Sequence, residues 1–256
     1  MAERNGGTRV RWAGRAATLT MTALALAVIA VLGVLLAGPA HRLGLFPARW
    51  ALGLFALAAI VGLVAAILSA LGLGFAIAAG AWRSVAGSAV ALIVALAAAA
   101  PLLVMVQLAT AVPVIHDITT DTDNPPTWVA LRSVRSASEN GTAYGGPSVA
   151  SQQKRAYPDV ATLNVPMPPD RAFARVEATA RALGWRIVAA APTEGRLEAS
   201  DTTRWFGFTD DVVVRVRATP QGSRIDVRSA SRLGRSDLGV NARRVRAFLA
   251  AIGKGK

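Results

Sequence analysis

The 256-residue chain contains no cysteine. That absence removes thiolate nucleophiles, thiolate metal sites and disulfides together, and it fits any compartment, an oxidising one included. Acidic residues are few, 15 against 28 Lys and Arg, and their placement matters more than their number. Between Glu3 and Asp117 there is none, and after Arg15 the only charged residues in that interval are Arg42, Arg49 and Arg83. Overall only 17% of residues are charged, below the usual quarter for a soluble domain, and 53% are hydrophobic. The first half therefore has a membrane composition, and the second half is an ordinary soluble mixture.

Other absences narrow the function. No ionisable group lies inside the long apolar runs, which argues against a proton relay, an ion path and hence a transporter. No Lys/Arg-rich run is interleaved with aromatics, so the net charge of +13 does not point to nucleic acid. Seven arginines set against Glu3 alone, all in the apolar half, supply nearly half of that charge, and there they orient helices. Attraction to anionic lipid headgroups accounts better for the rest, and no nucleic-acid partner is expected.

What is present begins with three apolar spans, about 17–37, 51–73 and 86–108, after an N-terminal tail of residues 1–16. Each span is near the roughly 20 residues that cross a hydrocarbon core. The first is too long for the apolar core of a cleavable signal, so it reads as an uncleaved helix. Trp50, Trp82 and Arg83 stand where interfacial residues belong. Small residues such as Gly62, Ala65, Ala66 and Ser69 would let helices approach closely. Arg4, Arg9, Arg11, Arg15 and Arg83 fall on one side of the spans, Arg42 and Arg49 on the other. The positive-inside bias then predicts a cytoplasmic N-terminus, a multi-pass inner-membrane protein and an extracytoplasmic, periplasmic C-terminal domain.

After the region 17–112 comes a stretch rich in Pro, Ser, Thr and Gly, residues 113–168, which reads as an irregular extended arm wrapping or spacing a domain at 169–256. Pro168-Pro169-Asp170 opens a helix that Gly184 closes, with Phe173, Val176, Ala180 and Leu183 on one face. Four strands follow, 185–191, 196–202, 210–219 and 223–231. Val212, Val214, Val216, Ile225 and Val227 point one way. Arg215, Asp226 and Arg228 point the other, as on a solvated face, with Arg215 opposite Asp226 if the hairpin pairs about Gln221. The last helix carries Leu238, Val245, Phe248, Leu249 and Ile252 as its stripe, with Arg243, Arg244 and Arg246 outward and Ser236 or Asp237 as a cap. The order implies an α+β fold: three N-terminal transmembrane helices, then a small antiparallel sheet of about four strands packed by two helices. The aromatic run Trp205-Phe206-Gly207-Phe208 reads first as core.

IHDITTDTDNPP (115–126), AYPDV (156–160), LGW (183–185), GFTDDVVVRVR (207–217) and SASRLGRSDLGVNARRVRAFL (229–249), in this order, resemble a bacterial family called domain of unknown function 1499. The resemblance spans about residues 113–252. It implies membrane attachment and a shared small domain, and no activity.

The candidate chemistry centres on His116, Asp117, Thr119 and Asp121. Asp117, Asp121 and Asp123 are weak candidates for a hard cation, but the EF-hand spacing fails, because Pro126 and Arg132 stand where Gly and Glu are required. His116 beside Asp117 offers half a triad, with Ser229, Ser231 or Ser236 to complete it, yet no nucleophile elbow is present. Asp210, Asp211, Arg235, Asp237 and Asn241 sit at element ends and could share a pocket, as an acid/base pair or as a structural ion cluster. No cofactor is expected. The leading expectation is a membrane-tethered module that binds an envelope protein, a lipid or another envelope component. The alternative is a membrane-anchored hydrolase or metal-dependent enzyme using His116 and nearby aspartates.

Overall fold

A computed structural model describes residues 2–253, with side chains from residue 7 onward. Arg4, counted among the charges before the first span, and the last three residues of the C-terminal domain lie outside the described side chains. The chain forms two compact units, one running to Gln107 and including Trp205–Gly207, the other containing Leu108–Arg204 and the residues from Phe208 onward.

The first unit is built from three helices, α1 (Ala2–Arg42), α2 (Ala48–Ala79) and α3 (Trp82–Ala111), each long and apolar enough to cross a membrane. Apolar side chains cannot hold helices together against lipid, since lipid is equally apolar, so close backbone approach has to do it. The buried positions are accordingly small: Ala27 and Ala30 on α1, Ala58, Gly62 and Ala65 on α2, Ala91, Ala95 and Ala98 on α3. A Cβ added at Gly33 would come within 2.6 Å of the Ala58 Cβ, so α1 and α2 touch where only glycine fits. Thr20 Oγ1 and Ser88 Oγ, 2.7 Å apart, join α1 to α3 by the one kind of polar contact hydrocarbon rewards. Trp50 stands in the first turn of α2, and Trp82 and Arg83 open α3; all three are exposed.

The second unit is an antiparallel sheet of six strands: β1 (Asp117–Thr119), β2 (Leu163–Val165), β3 (Arg186–Ala191), β4 (Arg196–Thr202), β5 (Thr209–Thr219) and β6 (Gly222–Ser231). Their order is β1-β6-β5-β4-β3, with β2 pairing on the same edge of β6 as β1, further along it. The β5–β6 hairpin turns at Pro220-Gln221 and sets Arg215 opposite Asp226, as the alternation predicts. β3 carries a register shift between Ile187 and Ala189. Three helices complete the unit: α4 (Gly146–Ala156), α5 (Pro169–Ala182) and α6 (Val240–Gly253).

The α+β architecture is as expected, but the sheet has two short strands beyond the four read from the sequence, and the irregular extended arm contains regular elements. The segment 113–168 holds β1, β2, α4 and a single 3₁₀ turn at Leu131–Ser133. Strands of three residues are too short for a period of two to register, and α4 is mostly polar outside Pro147, Val149, Ala150 and Ala156.

One face of the sheet presents Leu197, Ala199, Val212, Val214, Val216, Ile225 and Val227 to α5 and α6. Phe173 and Val176 of α5 and Val245, Phe248 and Ile252 of α6 fill that layer, and Trp185 stacks on Phe248 with ring centroids 4.9 Å apart. Each such side chain contributes roughly 1.5–3 kcal/mol by leaving water. Leu183, expected on the inward face of α5, is 39% exposed, and the aromatic run at 205–208 is no part of this core.

The other face is not solvated. Residues 120–145 lie across it: Trp128 and Leu131 pack on Val213 and Ala230, and beneath them Glu198, Asp211, Asp226 and Arg228 are buried. Charges on this face stay exposed only at its margins, Arg217 toward the hairpin tip and Arg186 on the edge strand β3. The unit therefore has three layers: helices, sheet, and a polar-lined arm.

Candidate functional site

Alternation places neighbouring residues of a strand on opposite faces, and this decides what the acidic residues meet. Asp210 points to the helix layer, where its carboxylate takes the Arg244 Nη2 at 2.7 Å. Arg244 also pairs with Asp201 and donates to Asn241 Oδ1 at 2.6 Å and Ser229 Oγ at 3.1 Å. Arg244, expected to face outward, is thus only 9% exposed, drawn inward by two carboxylates. Asp211 points to the arm layer, held by Arg232 at 2.8 Å and Arg135 at 2.8 Å. The adjacent pair Asp210-Asp211 is divided by the sheet and cannot act as a two-carboxylate acid/base centre.

The arm layer contains three further ion networks. Asp117 meets Arg228 in a two-point contact, Oδ1 to Nε at 2.9 Å and Oδ2 to Nη2 at 2.7 Å. The same guanidinium lies over the Trp128 and Tyr144 rings and donates to the carbonyls of Pro126 and Thr142. Burial, with Asp117 close by, pushes the Tyr144 hydroxyl up to about 12, so it stays protonated. Asp121 and Asp226 share Arg215 and Arg224, at 2.6 to 3.1 Å, and Thr162 donates to Asp226 at 2.6 Å. Burial alone would raise the Asp226 carboxyl, but the hydrogen bonds from Thr162, Arg215 and Arg224 outweigh it and hold the group below the usual carboxylate value. Glu198 accepts the three successive amides of Val129, Ala130 and Leu131 at 2.8 to 3.0 Å and pairs with Arg196, fixing the arm's turn to β4.

Threonine and amide groups close the seam. Thr119 N donates to Gln153 Oε1 at 2.9 Å, while Gln153 Nε2 donates to the Thr119 carbonyl at 2.6 Å, tying β1 to α4. Asn241 bonds Ser229, Ser231 and the His116 carbonyl. Asp237 accepts the Gly239 and Asn241 amides at 2.8 Å each at the start of α6, with Leu238, the residue after it, at φ 52°. Burial raises the Asp237 carboxyl, against the pull of those amides.

The candidates therefore separate into groups. Thr119, Asp121, Asp210, Asp211, Asp237 and Asn241 are joined to protein partners by these bonds. Asp123 is exposed, with a long 3.4 Å contact to Lys154. Among the described residues no three His, Asp or Glu side chains converge as a metal would need. Ser229 and Ser231 bond Asn241, and Ser236 bonds the Leu238 amide, so none meets the His116 imidazole. His116, Asp117 and Arg235 do come together, around one cavity of about 330 Å³ whose wall also includes Val114, Ile115, Gly141, Gly145, Val149 and Gln152.

Apart from Arg215, which the hairpin register sets opposite Asp226, the arginine partners, Glu198 and Gln153 escaped sequence reasoning. A signal for them existed. Val213 and Ala230 are apolar residues on the charged face, and Trp128 and Leu131 are apolar residues in the arm; each pair lacks a partner until the two are stacked.

An antiparallel α+β domain following three apolar helices defines a membrane-associated protein with a folded polar-lined domain. The match of residues 117–252 to the family described as "Protein of unknown function (DUF1499)" covers just over half of the chain, and the chain belongs to that family. Comparison with curated proteins finds no match.

Proposed function

We propose that the protein is a non-enzymatic, membrane-tethered binding module, its sheet domain held outside the cytoplasm. One observation carries the binding reading. Nearly every buried charge is consumed by a partner within the domain, while the cavity beside His116 keeps open space with uncommitted polar groups. An enzyme built on His116 and the aspartates would need those carboxylates free. Asp117 is locked to Arg228 and Asp121 to Arg215 and Arg224. The arginine bias around the spans supports the extracytoplasmic placement, which puts an envelope component, protein or lipid, within reach.

Two measurements test this. Because the chain lacks cysteine, Ser138→Cys and Ser84→Cys report sidedness directly. The expected result in intact cells is labelling of the Ser138→Cys chain by an impermeant maleimide and none of the Ser84→Cys chain; the reverse overturns the placement. For binding, mass spectrometry of the detergent-purified chain is expected to find a copurifying molecule that is depleted in Ala143→Trp, which fills the cavity. Identical copurifying sets would refute the cavity as the binding site.

A further inference from the structure

The cavity is wide enough for a small organic ligand, about 330 Å³, and its wall is mixed. Val114, Ile115 and Val149 give it an apolar side. Its ionisable lining groups are His116, Asp117 and Arg235, and they are not equivalent. Asp117 brings no net negative charge, since both its oxygens are occupied by the Arg228 guanidinium. Asn140 and Gln152 are partly spent, the Asn140 amide on the carbonyls of Ser231 and Gly234 and the Gln152 amide on Ser148. What remains is Arg235, exposed, and the half-buried His116 imidazole; neither side chain has a hydrogen-bond partner among the described residues. The cavity thus carries a net positive charge and two nitrogen donors without a protein acceptor.

That donor set selects a ligand class. A guanidinium presents a planar fork that matches two oxygens of a phosphate or carboxylate, and an imidazole adds a further donor in either tautomer. Position selects between sources. Val114 follows Ala111, the last residue of α3, by three residues, which can span at most about 10 Å. The cavity wall therefore begins within roughly a headgroup layer's depth of the end of that helix. We infer that this cavity binds the phosphate of an anionic phospholipid headgroup, with Arg235 as the oxyanion clamp, His116 as a second donor and the Val114–Val149 side against the glycerol backbone.

The inference rests on the binding-module reading and specifies its ligand. The test uses the full chain in nanodiscs of roughly four parts phosphatidylcholine to one part phosphatidylglycerol. Lipid retained after detergent exchange is counted by native mass spectrometry, and a parallel arm titrates soluble glycerol 3-phosphate by calorimetry. The expected result is phosphatidylglycerol retained over phosphatidylcholine, with retention falling about tenfold in Arg235→Gln and partly recovered in Arg235→Lys. Because Arg235 is exposed and makes no internal bond, these variants leave folding intact, which an unchanged melting curve confirms. Glycerol 3-phosphate binding without lipid preference keeps the oxyanion site and transfers its source to a soluble phosphate ester. No preference, no calorimetric binding and no effect of Arg235→Gln overturn the inference. The broader binding reading fails separately, only if Ala143→Trp leaves every copurifying molecule in place.

Discussion

Asp117 and Arg228 lie diagonally across the β1–β6 ladder and close both carboxylate oxygens on one guanidinium, with each residue 5% exposed or less. The first strand after the membrane spans is thereby bound to its neighbouring strand of the sheet by a buried ion pair of the arm layer. Removing one member leaves the other charged in a dry site, which costs about 3–5 kcal/mol, whereas replacing both by apolar groups costs much less. Arg228→Met is expected to lower stability by that amount, and Asp117→Leu/Arg228→Met to recover most of it. Urea unfolding of the solubilised chain measures both.

Glu198 gives a local test. Its carboxylate is the acceptor for the amides of Val129, Ala130 and Leu131. Glu198→Ala leaves three donors and Arg196 without it, and unpaired buried groups cost about 1–3 kcal/mol each unless water enters. The expected signature is faster amide exchange confined to residues 127–134 by hydrogen–deuterium mass spectrometry, with β5 and β6 unchanged. Uniform acceleration across the sheet would contradict a local latch.

Acid should weaken the domain partly through Asp226. Its folded-state carboxyl lies below the usual value, so its contribution is complete above the unfolded value of about 3.9 and is lost as pH falls through the folded one. Asp237 acts oppositely: its raised folded value makes ionisation costly above the unfolded value, and protonation restores stability as pH drops. The two separate by mutation. The stability gap between the natural chain and Asp226→Asn should be widest near pH 7 and shrink below pH 4, as thermal melts across that range would record.

In the helical unit, Gly33→Leu should lower the unfolding midpoint in detergent, because the new Cβ would stand 2.6 Å from Ala58. Overpacking of this kind costs about 1–3 kcal/mol. Gly53→Leu is the control, since a Cβ there meets nothing within 4 Å. Equal shifts for both would remove the close α1–α2 approach from the account.

The three spans, strands β3 to β6 and the two helices on their apolar face were legible in the sequence because each repeats a period long enough to see. Val212, Val214 and Val216 announce one buried face whatever lies opposite. The second buried face was not legible, because burial there is electrostatic. Arg228 beside Asp226 on a strand has the same appearance whether water or Asp117 meets it, and only the tertiary path of residues 120–145 decides. Of the site candidates, His116 and Asp117 were found for their residue types, yet their difference, one free and one locked, depends on Arg228, which is 111 positions from Asp117 along the chain.

The sheet's two edges have different fates. Along β6, β1 and β2 occupy the outer side in turn, which takes up most of its outward-facing backbone groups. At the other edge β3 is kinked between Ile187 and Ala189 and is stopped by Pro192, a residue with no amide to offer. A bulged, proline-ended strand is a poor template for a neighbour's backbone. At the β3 edge, copies of this domain side by side therefore meet through side chains and not through strand addition, and crowding does not extend the sheet in that direction from one molecule to the next.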